Sequence, residues 1–336
     1  MLDLPILLVA VVGLALLFDF TNGAHDSANA IATIVSTKVL SPFTAVCMAG
    51  ALNLLGAFLG TAVAHTMGSG IVDPKMVAGS HALVLAALMG AICWNLLTWY
   101  WGLPSSSSHA LVGGLIGAAI AFGGWSAPSY LSIVHKIVLP LVLSPLAGFG
   151  SGYLLMVLLS WLVRTSSPGR VNFLFKKLQI VSSAFMATSH GLNDAQKTMG
   201  IITLALFIFH EIPDMSVPNW VKIACALSMG LGTATGGWKI VKTMGHKIFK
   251  LEPIHGFAAE TAAAAVICGA SALGAPISTT HTISTTVIGV GASKRLSAVR
   301  WGVAGRLVVA WVLTIPAAAI VAAACYWLLE LAGMSA

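Results

Sequence analysis

The sequence predicts an all-α polytopic membrane protein, built from two inverted-topology repeats of about five spans each. Of its 336 residues, 58% are hydrophobic and only 8% are charged, whereas a soluble domain carries about 25% charged residues. The apolar runs are continuous and do not alternate with polar residues, which indicates helices and not a β-barrel. Two polar motifs of the first half also recur, in the same order, in the second half.

Ten segments have the roughly 20 apolar residues that a membrane span needs. In order they are 4–35, 42–66, 77–101, 105–123, 131–163, 179–210, 219–245, 255–273, 276–292 and 302–330. The connection 164–177 carries four basic residues and no acid, so the positive-inside rule places it in the cytoplasm. Ten crossings then leave both termini outside. The predicted units are a first membrane repeat at 1–163, a cytoplasmic linker at 164–178 and an inverted second repeat at 179–336.

The net charge of +7 does not indicate a nucleic-acid partner, because an excess of Lys and Arg in a membrane protein mostly sets its topology. The five cysteines are scattered singly through apolar segments. This spacing argues against a disulfide framework and against a metal site, and it predicts structural cysteines.

The first repeated motif is NGAHDSANA at 22–30, which aligns with HGLNDAQKT at 190–198 and superposes Asp26 on Asp194. An ionised Asp at the bilayer centre costs at least ~2.5 kcal/mol and therefore needs a bound cation or a basic partner. Lys197 is one helical turn beyond the second aspartate. Glycine, asparagine and aspartate weaken a helix, so we expect a break in these spans where they line the central site. The alternative is a buried ion pair that only stabilises the fold.

Each aspartate is accompanied by one asparagine and one histidine. Asn22 and His25 surround the first aspartate, and His190 and Asn193 occupy the equivalent positions in the second half, with the two residue types exchanged. Histidine is suited to proton coupling. Hydrogen-bonded packing is an equally good interpretation of these side chains.

The second repeated motif is GLPSSSSH at 102–109, which aligns with GAPISTTH at 274–281. Proline followed by hydroxyl residues is typical of the first turn of a helix. A helix that begins at membrane depth offers free N–H groups and the positive end of its dipole, which together suit an anion. An ordinary N-cap explains either copy alone, whereas both copies together favour a pseudo-symmetric anion site around Pro104–His109 and Pro276–His281.

Other polar residues within the spans are less informative. Glu260 lies in an alanine-rich span and has no acidic equivalent in the first half, so it is a candidate ligand of a coupling ion or a residue at a span end. Asp19 has the same two interpretations. Asn53, Gln196 and His65 are expected to form hydrogen bonds between helices.

These motif pairs resemble the inorganic phosphate transporter (PiT) family. GAHDSANA and GLNDAQKT are similar to its duplicated G-x-N-D signature, and PSSSSH and PISTTH to its paired hydroxyl motifs, so that the resemblance extends over essentially the whole chain. It implies uptake of inorganic phosphate driven by a proton or sodium gradient. Some bacterial members take phosphate complexed with a divalent metal, and related members move sulfate.

The resemblance and the motifs together define the predicted site. Phosphate-binding residues are predicted to be Asn29, Ser106, Ser107, Ser108, Gln196, Lys197, Ser278, Thr279 and Thr280. Coupling-ion residues are predicted to be Asp26, Asp194, Glu260, Asn22, His25 and Asn193. The chain has His25 where the family usually has Asn, and Asn53 where animal relatives carry a Glu that could bind sodium. These departures favour H⁺ over Na⁺ as the coupling ion.

We therefore expect a secondary active transporter that imports phosphate by cation symport across the bacterial inner membrane. Its predicted partners are inorganic phosphate, the coupling cation and the lipid bilayer, without a further cofactor, and the oligomeric state stays open, a homo-oligomer included. A sulfate permease is the alternative within the family. An intramembrane hydrolase using Ser107 or Ser108 with His109 and Asp26, and a channel, are alternatives from other classes. Duplication of both motifs argues against these two.

Overall fold

The computed structural model describes residues 4–69 and 81–334, and these residues form helices and no strand. The α-helices are α1 (Leu4–Ser36), α2 (Pro42–Gly56), α3 (Ala62–Ser69), α4 (His81–Trp101), α5 (Ser107–Gly123), α6 (Tyr130–Ile133), α7 (Leu139–Leu162), α8 (Pro168–Ile208), α9 (Asn219–Thr235), α10 (Trp238–Lys242), α11 (Pro253–Ala272), α12 (Thr279–Lys294) and α13 (Trp301–Leu331). Short π-helical turns follow α6 and α10, and a 3₁₀ turn precedes α13.

Five of the described helical segments are long and apolar enough to cross a membrane. They are Ile6–Ser36, Ala82–Trp101, Tyr130–Leu162, Pro253–Ala272 and Trp301–Leu331. Pro42–Gly56 and Ser107–Gly123 are apolar but shorter. The helical segments follow the order of the predicted spans, although residues 77–80 of the third span lie outside the described residues. Since α8 already begins at Pro168, most of the predicted linker 164–178 is helical. The division into two repeats and a linker stays a prediction.

The two aspartate motifs lie within unbroken helices, so the predicted break at these motifs is wrong. α1 continues through 22–30 and α8 through 190–198. The glycines of the motifs permit close packing instead. A Cβ on Gly23 would lie 2.5 Å from the Met229 carbonyl oxygen of α9, and one on Gly191 would lie 2.1 Å from the Asn53 carbonyl oxygen of α2. Only glycine allows the backbones to approach this closely.

The chain is broken elsewhere, at equivalent places in the two halves. Residues 57–61 separate α2 from α3, and residues 236–237 separate α9 from α10. Residues 102–106 separate α4 from α5, and residues 273–278 separate α11 from α12. The all-helical fold with interrupted helices is therefore confirmed, and the interruptions at 102–106 and 273–278 directly precede the two hydroxyl helices, α5 and α12.

The packing of the helices is exchanged between the two halves. α1 of the first half packs on α9 of the second, and α8 of the second half packs on α2 of the first. Within the halves, α4 packs on α1 and α5, and its counterpart α11 packs on α8 and α12. α5 packs closely on α13, where Gly117 faces Ala319, and α12 packs closely on α7, where Thr286 faces Gly152. This exchange agrees with the prediction of two related repeats, and α1 and α8 pack against each other.

Candidate functional site

The predicted site residues lie inside the helix bundle. All fifteen that were predicted to bind phosphate or the coupling ion are buried, and none is more than 5% exposed. A polar cluster of this size within hydrocarbon is tolerated only when its groups are paired or line a transport site. In this structure the site is therefore closed off from solvent.

The packing of α1 on α8 brings the two aspartates together. One ligand atom each from Asp26, Asp194 and His190 lies within 4.8 Å of the others, an arrangement that could hold a cation. Carboxylate oxygens and an imidazole nitrogen are suitable ligands for such an ion. The alignment of the two motifs therefore corresponds to real proximity in the fold.

Asp26 is held by residues of its own half. The Ser107 hydroxyl lies 2.8 Å from Asp26 Oδ2 and is also hydrogen bonded to Asn22 Oδ1. His25 Nδ1 lies 2.7 Å from Asp26 Oδ1, and His25 Nε2 lies 3.1 Å from the Thr98 hydroxyl. Ser107 has one hydroxyl hydrogen and faces two acceptor oxygens. A proton on Asp26 would let the carboxyl donate to Ser107 while Ser107 donates to Asn22.

Asp194 has a different environment because Lys197 lies beside it. Lys197 Nζ donates to Asp194 Oδ1 at 2.5 Å, to the Ser108 hydroxyl at 2.5 Å and to the Ile277 carbonyl oxygen at 2.7 Å. These three bonds use all three donors of the ammonium group. The Thr279 hydroxyl donates to Asp194 Oδ2 at 2.9 Å. Asp194 thus has an ion pair within the protein, whereas Asp26 has none with a lysine or arginine in the described part of the chain.

Two reciprocal hydrogen bonds connect the halves. Asn29 Nδ2 donates to the Thr280 hydroxyl at 2.9 Å, and Lys197, its equivalent on α8, donates to Ser108 at 2.5 Å. Each hydroxyl helix therefore begins against the aspartate helix of the other half. Ser107 and Thr279, one residue earlier, donate to the aspartate of their own half, and Thr279 also accepts from Asn29 at 3.2 Å. The hydroxyl motifs thus connect the aspartates to the interface between the halves.

The formal charge of this cluster is negative. It contains the carboxylates Asp26 and Asp194 and the ammonium group of Lys197, which leaves −1 if the histidines are neutral and both aspartates are ionised. A phosphate anion bound beside this cluster would raise the negative charge further. Like charges at such distances in a low dielectric repel strongly. A bound anion therefore needs an additional cation or proton in the same cluster.

Ser106 and Ser278 have a structural role in this conformation. Each is the N-cap of its helix. The Ser106 hydroxyl accepts from the His109 backbone N–H at 3.3 Å, and the Ser278 hydroxyl accepts from the His281 backbone N–H at 3.2 Å. The helices begin at Ser107 and Thr279, so the prolines of both motifs lie in the preceding loops and not in the first turn. A serine cap determines the start of each helix more strongly than the proline before it.

Two histidines at the ends of the hydroxyl motifs meet behind the cluster. The rings of His109 and His281 contact edge to face with centroids 4.5 Å apart, and His281 stacks on Trp311 at 4.0 Å. The Trp311 indole N–H donates to the Pro104 carbonyl oxygen at 3.0 Å. These contacts hold the beginnings of α5 and α12 next to each other.

Besides the N-caps Ser106 and Ser278, three further predicted site residues have no hydrogen bond to the aspartate cluster. Gln196 accepts from the Val63 backbone N–H at 2.8 Å and thereby caps α3. Asn193 donates to the Ser271 hydroxyl at 2.8 Å, at the end of α11. Glu260 accepts hydrogen bonds from Thr33 and Ser182, and from Gln179 Nε2 at 3.3 Å. Glu260 thus forms a separate buried polar site.

Replacing Gln196 with alanine should lower stability without weakening phosphate binding. The Val63 N–H would lose its acceptor, which costs about 1 kcal/mol for a helix cap. We expect a lower unfolding midpoint in detergent and a KM for phosphate uptake within about twofold of wild type. Thr203→Val, on the same helix, is the control, because Thr203 bonds only to the Met199 carbonyl oxygen of its own helix. A large rise in KM with unchanged stability would return Gln196 to the phosphate site.

Sequence reasoning left several contributing residues outside the predicted site. His190 lies 3.1 Å from Asp194 Oδ2 through Nε2, and its Nδ1 lies 2.8 Å from Asn53 Oδ1. The alignment of His190 with the predicted site residue Asn22 could have identified it from the sequence. Asn53 forms the expected interhelical hydrogen bond. Thr98 lies in an otherwise apolar helix, and no motif marked it.

Comparisons with known proteins identify the family of this chain. The model of the phosphate transporter family matches residues 22–169 and 164–322. The "Probable low-affinity inorganic phosphate transporter" of Rhizobium meliloti (strain 1021) is 50% identical over 327 residues, covering 97% of each chain. A protein of the same name from Bacillus subtilis (strain 168) is 46% identical over 98% of each chain. A solved structure titled "The sodium-dependent phosphate transporter" matches with a TM-score of 0.89 and 27% identity, over 97% of this chain and 99% of that one.

A buried, charged, pseudo-symmetric cluster in an all-helical membrane fold defines a membrane transport protein. The chain belongs to the phosphate transporter family, as the resemblance of its motifs predicts. It is an integral membrane protein that transports phosphate, and it is not an enzyme. The matches give no support to the sulfate alternative or to the hydrolase.

Proposed function

We propose that this protein imports inorganic phosphate across the bacterial inner membrane by symport with protons. The observation that carries the proposal is the unequal pairing of the two central aspartates. Lys197 occupies the position of a cation beside Asp194, while the hydrogen bonds of the Asp26 carboxyl among the described residues are to His25 and Ser107. The hydrogen-bond pattern around Ser107 is satisfied when Asp26 carries a proton.

Phosphate would bind where the hydroxyl helices begin. Ser108, Thr280, Asn29 and Lys197 already form two donor pairs across the interface between the halves. The free N–H groups and dipoles of α5 and α12 point to the same region. Ser107 and Thr279, bonded to the aspartates, would connect the anion to the proton-binding carboxyls. In this arrangement protonation of the carboxyls removes the repulsion that an entering anion meets.

The membrane potential makes coupling necessary. Moving one charge against 100 mV costs about 2.3 kcal/mol. A phosphate monoanion entering a negative cell therefore needs one co-transported proton for electroneutrality and a second for strong accumulation. The proposed inverted repeats, with both termini outside, place the two hydroxyl helices on opposite sides of this site. The exchanged packing of the halves supports that arrangement.

Sodium coupling is the second candidate, because Asp26, Asp194 and His190 could hold a cation and a structural neighbour is titled sodium-dependent. Uptake of radiolabelled phosphate into proteoliposomes separates the two. Uptake is measured under an imposed pH gradient and, separately, under an imposed sodium gradient. The pH-gradient measurement is repeated with excess sulfate and again with a chelator of divalent metals. We expect the pH gradient to drive uptake, with no effect of sulfate or chelation. Uptake that needs sodium and ignores the pH gradient would refute proton coupling.

A further inference from the structure

A third acid lies in the core of the bundle and takes no part in the central cluster. Asp19 of α1 is fully buried, and its Oδ1 accepts a hydrogen bond from the Thr198 hydroxyl at 2.8 Å. Its second oxygen, Oδ2, is also buried and has no hydrogen-bond partner among the described residues. Such an oxygen costs free energy unless it is protonated or binds something.

The position of Asp19 relates it to the transport site. It precedes Asp26 by seven residues, which is two helical turns, or about 10 Å along the same face of α1. Its partner Thr198 is four residues beyond Asp194 on α8. In the proposed orientation α1 enters from outside, so Asp19 lies on the outer side of the central aspartates. At the equivalent position, α8 carries the buried Ala187, so this acid is not duplicated.

The surroundings of Asp19 favour the uncharged form. None of the ion pairs in the described part of the chain includes it. The charged residues nearby on α8 are Asp194 and Lys197, which form an ion pair with each other, and the three donors of Lys197 bond to Asp194, Ser108 and Ile277. The buried Cys225 thiol of α9 supplies no positive charge. α4 also packs on α1, and its Cys93 and Tyr100 side chains are exposed. An ionised carboxylate at this depth is unfavourable when no cation neutralises it.

A metal cation fits this position less well than a proton. Hard cations take several oxygen ligands. Apart from its own carboxylate, the one side-chain oxygen bonded here is that of Thr198. The neighbours on α1 and α8 include the buried apolar residues Ala15, Phe18 and Met199. A proton needs only the free lone pair on Oδ2.

We propose that Asp19 is a second proton-binding site, which takes up a proton from the outer side and releases it toward the central aspartates during each transport cycle. The step forms one O–H bond at the Asp19 carboxylate and later breaks it, and the proton leaves as the coupled ion. This inference rests on the proposed proton coupling. It supplies the second proton that strong accumulation of a phosphate monoanion requires.

The test uses Asp19→Asn, which keeps the size of the side chain and removes the titratable proton. In proteoliposomes at 100 mV we expect pH-driven phosphate accumulation to fall about fifty-fold, as the loss of one coupled charge predicts. Exchange of labelled for unlabelled phosphate, with no imposed gradient, should persist because the phosphate site is intact. Ser228→Ala is the matched control, since the Ser228 hydroxyl bonds only to the Leu16 carbonyl oxygen nearby on α1.

Infrared difference spectroscopy tests the proton itself. The wild-type protein should show the carbonyl stretch of a buried protonated carboxyl that Asp19→Asn lacks. Thr198→Val keeps the acid and removes its hydrogen bond, so it should shift this band, and it serves as the second variant if Asp19→Asn does not fold. Wild-type accumulation by Asp19→Asn, or no band affected by either variant, would overturn this inference alone. Absence of phosphate uptake by the wild-type protein would overturn the proposed function together with it.

Discussion

Replacing Asp26 with asparagine is expected to abolish concentrative phosphate uptake while the protein stays folded. Asparagine can still accept from Ser107, so the local hydrogen bonds at 2.8 Å have a substitute partner. It cannot take up a proton or balance a cation. Loss of one coupled charge at 100 mV lowers the equilibrium accumulation about fifty-fold. The measurement is labelled phosphate uptake into proteoliposomes under a pH gradient and an imposed potential.

Asp214→Asn is the control for the Asp26 variant. Asp214 is an exposed acid in the connection between α8 and α9, so its removal changes the net charge equally without touching the core. It should transport like wild type. Accumulation by Asp26→Asn at the level of this control would remove Asp26 from the coupling mechanism.

Replacing Lys197 with methionine should both destabilise the protein and stop transport. The change leaves the buried carboxylate of Asp194 without its cation, and breaking one side of a buried ion pair costs about 3–5 kcal/mol. The Ser108 hydroxyl and the Ile277 carbonyl oxygen also lose a partner. We expect a clearly lower unfolding midpoint in detergent and no measurable phosphate uptake.

The double variant Lys197→Met with Asp194→Asn separates these two effects. It removes the charge as well as its partner, so most of the lost stability should return while transport stays absent. Lys176→Met, at an exposed position of the same helix, should change neither property. If the double variant is as unstable as Lys197→Met alone, the ion pair is not the source of the destabilisation.

The alignment of the two motif pairs predicted most of the central cluster. Equal spacing superposed Asp26 on Asp194 and the first hydroxyl motif on the second, and the fold brings these groups together. This worked because spans of similar length, arranged in the same order, place equivalent residues at similar depth. Composition was sufficient for the helical fold, since few other structures satisfy the backbone in lipid.

The sequence did not indicate which hydroxyls bond to which helix. Asn29 and Lys197 reach across to the other half, whereas Ser107 stays with the aspartate of its own half. Such pairing depends on how α1 and α8 cross, which has no local signal. The predicted break at the aspartate motifs failed for a related reason: a glycine that weakens a helix also permits backbone contact, and Gly23 serves the second purpose.

Glu260 and Gln196 show a second limit. Both are buried polar residues within spans. The motif and the family resemblance assigned Gln196 to the site, and the presence of an acid within a span assigned Glu260 to it. In the fold, Gln196 satisfies a free N–H at the broken start of α3, and Glu260 is hydrogen bonded to Thr33 and Ser182 away from the aspartates. The free N–H groups at a helix break need polar partners. The sequence alone does not distinguish a residue that bonds to these groups from one that binds a ligand.

The close packing of α5 on α13 and of α12 on α7 limits how the protein can open. At Gly117 and Gly152 the facing helices leave no room for even a methyl group, so the helices of each pair cannot slide past one another without a clash. A hydroxyl motif that moves must carry its lipid-facing partner helix with it. The two pairs meet where the rings of His109 and His281 touch. A movement that separates the two hydroxyl motifs would therefore move four helices in two pairs and would change this ring contact.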